Sequence, residues 1–73
     1  RRAEAAEAAL SRATEAVAKI DAQLSDPAVF ADGPEKAAAL GRQRTKAQAA
    51  LDAAEAEWLA AVEAYEALKS PAA

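Results

Sequence analysis

The sequence predicts an all-α fold, an antiparallel two-helix coiled-coil hairpin with a Pro-containing loop. Three observations predict it. Apolar residues alternate at spacings of three and four along most of the chain, the signature of a heptad seam. Helix breakers gather in one stretch, Ser25-Asp26-Pro27-Ala28-Val29-Phe30-Ala31-Asp32-Gly33-Pro34. The flanks of that stretch are Ala-rich and free of Pro from Arg1 to Asp26 and from Glu35 to Ser70. The 73 residues therefore form a single hairpin: a first helix over about residues 2–25, a loop over 26–33 and a second helix over about 34–69.

In the first helix the seam positions are Ala3, Ala6, Leu10, Ala13, Val17, Ile20 and Leu24. Glu4, Glu7, Arg12, Glu15, Lys19 and Asp21 fall between them and form a solvated face. Ala, Leu, Glu and Arg favour helix, and nothing interrupts them. Pro27 disfavours helical geometry at Asp26, so the helix is expected to end near Ser25.

In the loop, Ser25 or Asp26 can cap a short helical turn that begins at Pro27, because Pro suits a first helical position. Val29 and Phe30 are expected to fold back over the open end of the seam as a hydrophobic plug. The sharper alternative for Phe30 is an aromatic on which a base stacks. Gly33 is expected as the N-cap of the second helix, with Pro34 in its first turn and Glu35 favourable to the helix dipole.

The second helix carries the seam through Ala37, Leu40, Arg44, Ala47, Leu51, Ala54, Trp58, Ala61, Tyr65 and Leu68, and Pro71 ends it. An antiparallel register can be proposed that pairs Leu24 with Leu40, Ile20 with Arg44, Val17 with Ala47, Ala13 with Leu51, Leu10 with Ala54 and Ala6 with Trp58. Large then faces small in most layers, as close packing requires. Arg44 is the odd member, expected to pack its stem beside Ile20 and lift its head toward solvent or an acid. Tyr65 and Leu68 have no partner in the first helix unless that helix continues upstream. With no initiator Met, the chain reads as a piece of a longer protein.

Composition narrows the function classes. Of the 39 apolar residues 26 are Ala, which suits one thin seam and not a thick globular core. There is no Cys or His, so thiolate and imidazole chemistry are excluded, and no base stands ready to activate Ser11, Ser25 or Ser70. Carboxylate pairs such as Glu4 with Glu7 and Asp52 with Glu55 read as solvated helix faces, and neither Gly lies in a phosphate-cradling motif. The chain is therefore expected to be no enzyme, to hold no cofactor and no metal, and to have no membrane partner, since no apolar run approaches the roughly 20 residues of a span.

Charge is uneven. The net charge is −3, yet Lys36, Arg42, Arg44 and Lys46 fall together near the loop, while five acids and no base lie between Asp52 and Glu66. These four residues are the candidate nucleic-acid-binding set, a patch for phosphates on a rigid arm. The opposing reading pairs Lys36 and Arg42 with Asp21, Asp26 or Asp32 across the hairpin. Leu59 and Val62, off the seam, leave self-association open.

A helix ending in Ile20-Asp21-Ala22-Gln23-Leu24 runs into Asp26-Pro27-Ala28-Val29-Phe30. An acidic-Gly-Pro restart follows, then a helix that carries Leu51 and Trp58 and closes on Glu66-Ala67-Leu68-Lys69. From about Ala9 to Lys69 this resembles the C-terminal coiled-coil domain of ABC-F ATPases, most like the Uup type. The resemblance implies a cytoplasmic parent protein with two ATP-binding cassettes upstream, which use ATP and Mg, and no membrane span. It also implies an arm that binds DNA, or ribosomal RNA as in related members. The partners so implied are DNA or ribosomal RNA and the cassettes of the same protein. The sequence departs from the family's pattern at Glu57, where Arg is frequent, and at Ala61, where Leu is common. The rival function is a structural or protein-docking hairpin that binds no nucleic acid.

Overall fold

The computed structural model describes residues 1–31 and 33–69. Three helices follow in chain order: α1 (Arg2–Leu24), α2 (Pro27–Ala31) and α3 (Pro34–Lys69). The helices α1 and α3 pack against each other, and α2 closes the turn between them and touches both. The molecule is an all-α helical hairpin. Its extents of 61 × 15 × 14 Å are those of a rod two helices thick.

Local chemistry explains each boundary. At the end of α1, Ser25 donates to the Asp21 carbonyl twice, from its N–H at 3.0 Å and its Oγ at 2.9 Å. Asp26 then opens α2. Its Oδ1 accepts the Ala28 N–H at 3.0 Å and its carbonyl accepts the Val29 N–H at 3.0 Å, so two donors that a helix start leaves unmatched are satisfied. Pro27 and Pro34 occupy the first positions of α2 and α3, where a missing N–H costs nothing. Between them Gly33 has φ 110°, a conformation that side chains resist, and its N–H donates to the Phe30 carbonyl at 3.2 Å. Glu35 in the first turn of α3 and Lys69 in its last both complement the helix dipole.

The seam follows the heptads. Ala3, Ala6, Leu10, Ala13, Val17, Ile20 and Leu24 of α1 are buried or half-buried, as are Ala37, Leu40, Arg44, Ala47, Leu51, Ala54, Trp58 and Ala61 of α3. Most complete is the burial of Ala6, Val17, Val29, Leu40 and Ala61. Two cross-helix ion pairs, Arg44 with Asp21 and Arg2 with Glu57, tie the start of α3 to the end of α1 and the start of α1 to the far half of α3. The helices are thus antiparallel. Arg44 meets Asp21, next to Ile20, and Ala3 shares a surface notch with Ala61. Both contacts fit the register that sets Ile20 against Arg44, because a slip of one heptad would separate Asp21 from Arg44 by about 10 Å along the axis.

Within residues 26–33 the short helical turn expected from Pro27 is present as α2. One expectation is corrected. The hydrophobic plug is Val29 alone: it is 6% exposed, whereas Phe30 is 57% exposed. The turn of α2 points adjacent side chains about 100° apart, so only one of the two can face the seam. At the other end Tyr65 and Leu68 are exposed, Leu68 at 83%, with Tyr65 stacked under the Lys69 ammonium at 5.8 Å. Asp32 and the expected helix stop at Pro71 lie outside the described residues.

Candidate nucleic-acid interface

The four basic residues near the loop divide into two groups. Lys36, Arg42 and Lys46 are exposed on α3. At 3.6 residues per turn Arg42 and Lys46 stack one turn apart, on the side away from Leu40, Arg44 and Ala47. Together with Ala39, Gln43 and Thr45 they line a shallow open depression. The alanine there is as informative as the charge: a small side chain lets a flat or rod-like partner approach the two cations closely.

Arg44 is tied across the hairpin. Its Nε donates to Asp21 Oδ1 at 2.6 Å and its Nη2 to Asp21 Oδ2 at 3.3 Å, while Nη1 donates to Gln48 Oε1 at 3.3 Å. Gln48 Nε2 donates onward to Asp52 Oδ1 at 3.0 Å. A ladder of Asp21, Arg44, Gln48 and Asp52 therefore runs from α1 onto α3. The Arg44 hydrogen bond holds the Asp21 carboxyl below the usual carboxylate range, and the same bond raises Arg44 further above its ordinary value. The guanidinium that sequence spacing grouped with the patch is thus already occupied by an acid of α1.

Arg2 and Glu57 form a second cross-helix pair that the sequence reading did not single out. Arg2 Nε donates to Glu57 Oε2 at 2.7 Å and Nη2 to Oε1 at 3.0 Å, a parallel two-bond geometry. The hydrogen bond from Arg2 holds Glu57 below the usual carboxylate range. A signal was present: Arg2 precedes the seam residue Ala3 and Glu57 precedes the seam residue Trp58, so both border the seam. Glu57 is thus half of a clamp at the base of the hairpin.

Among the described residues no group of three or more His, Cys, Asp or Glu could hold a metal ion. Among them also, no helix is long and apolar enough to cross a membrane. A rod with a clamped seam and an open basic depression offers surfaces for contact. The family model of the ABC transporter C-terminal domain matches residues 1–67, and the chain belongs to that family. It is thus the C-terminal domain of an ABC-family protein and not the ATP-hydrolysing cassette. No curated protein and no solved structure matches the chain.

Proposed function

We propose that this domain is a nucleic-acid-binding arm of a cytoplasmic ABC-F ATPase of the Uup type, reading phosphates without regard to sequence. The observation that carries the proposal is the pair Arg42 and Lys46, exposed one turn apart beside an alanine-floored depression, in a stretch from Lys36 to Lys46 that contains no acid. The Arg42 guanidinium meets a phosphate through its fork of N–H donors and the Lys46 ammonium as a point charge, and the released counterions supply the affinity. The acidic far half of α3, Asp52 to Glu66, repels the same backbone and so confines contact to the loop half. Among the described residues no helix presents a base-reading array, so contact positions the arm and does not select sequence. DNA or ribosomal RNA is the target, and the ATP-binding cassettes of the same protein, with their ATP and Mg, are the partner the arm serves.

Since Arg44 is engaged by Asp21, the patch has two or three members in place of four. Titration with duplex, branched and single-stranded DNA at two salt concentrations tests this. Arg42 and Lys46 give a log–log salt slope of about −2 for duplex, or about −3 if Lys36 contributes, at roughly −0.9 per phosphate contact. Binding that does not weaken as salt rises overturns the reading. The second reading, a docking hairpin without nucleic acid, is favoured by one observation: the Arg44 pair shows that at least one basic residue of the cluster serves the hairpin itself.

A further inference from the structure

Val29 and Phe30 are neighbours in α2 with opposite fates. Val29 closes the end of the seam, and Phe30 leaves more than half of its surface in water. The hairpin does not need the ring for closure, since Val29 is the buried residue of α2. The ring also stands on a held backbone. Asp26 anchors the turn before it through Ala28 and Val29, and Gly33 donates to the Phe30 carbonyl after it. It is therefore presented at the tip and not on a fraying end. Arg42 lies eight residues beyond Pro34, about 12 Å along the α3 axis, so ring and cations fall within the reach of a short strand.

We propose that Phe30 is a stacking contact for an unpaired base, and that the arm consequently favours nucleic acid with exposed bases over continuous duplex. The proposal rests on the nucleic-acid reading above and names the form of ligand it prefers. In intact duplex both faces of each base are covered by its neighbours, so a ring at the tip has nothing to stack on. In a single strand, a loop or a branch point the face is open. An aromatic ring on an arm that also carries cations binds such a strand with little sequence preference, since every base has a π-face.

The test uses the 73-residue chain and fluorescently labelled oligonucleotides of one length, single-stranded and duplex, read by anisotropy. Phe30→Leu keeps apolar bulk and removes the π-face; Phe30→Tyr keeps the ring. Phe30→Leu is expected to weaken single-strand binding about 5- to 100-fold and to leave duplex binding unchanged, with Phe30→Tyr close to the parent. Circular dichroism checks that helicity is retained. Phe30→Leu binding single strands as tightly as the parent overturns the proposal, as does an equal loss on both ligands, which would mark a general apolar or protein-docking contact. Arg42→Gln with Lys46→Gln separates the two levels. If that variant loses both ligands while Phe30→Leu changes nothing, the stacking proposal alone falls. If it binds both like the parent, the nucleic-acid reading falls and the stacking proposal with it.

Discussion

Arg44 takes a seam position yet carries a charge, and its neighbours decide the consequence. The side chain is 38% exposed and Asp21 is 48% exposed, so neither charge gives up all its water. Arg44→Leu then exchanges a half-solvated pair for apolar contact with Ile20 and leaves Asp21 free to rehydrate. The melting temperature should stay within a few degrees of the parent; a larger fall would show that the ladder through Gln48 and Asp52 acts as one unit. Asp21 and Glu57 are both held below the usual carboxylate range. The unfolded chain therefore binds more protons in the acid range, and stability from these pairs is present above the unfolded pKa of about 4 and lost as pH falls through the folded values. Melting temperature should drop below about pH 4, and Asp21→Asn with Glu57→Gln should flatten that drop. The two glycines make an opposed pair. A Cβ at Gly41 meets nothing within 4 Å in a regular helix, so Gly41→Ala should stabilise by about 0.5–1 kcal/mol. Gly33 has equal space but φ 110°, so Gly33→Ala should destabilise by about 1–2 kcal/mol through the backbone alone. Thermal melts of both variants check the sign.

At the scale of elements, the long helices were legible because alternating spacings of three and four specify which face is covered. Leu40 and Val17 fell on that face and are buried. Leu51 fell on it too and is half-buried. Burial predicts an order of costs: Leu40→Ala should lose about 2–3 kcal/mol, Leu51→Ala less, and Leu68→Ala almost nothing. Equal losses at Leu40 and Leu68 in denaturant melts would contradict the seam. What the sequence hid was rotation inside a very short element. With five residues α2 has no periodicity to read, so Val29 and Phe30 were indistinguishable as the plug. The register that set Arg44 beside Ile20 left its head to reach solvent or an acid, and the acid is Asp21; the Arg2–Glu57 pair was hidden because only the pairing of α1 with α3 brings the two together.

For the whole molecule, the two long helices and their clamps set out a division of labour. The base of the rod carries the Arg2–Glu57 pair and an acidic α3, and the loop half carries the exposed cations and the presented ring. A rod of this length holds its tip far from whatever its base is joined to, which suits an arm that reaches. The most direct measurement is a low-salt anisotropy titration of labelled duplex DNA with the parent chain and with Arg42→Gln/Lys46→Gln, helicity being followed by circular dichroism. Both residues lie outside the seam, so the variant should stay helical and lose binding. A variant that remains helical and binds duplex as tightly as the parent would contradict the account, and the docking hairpin would replace it.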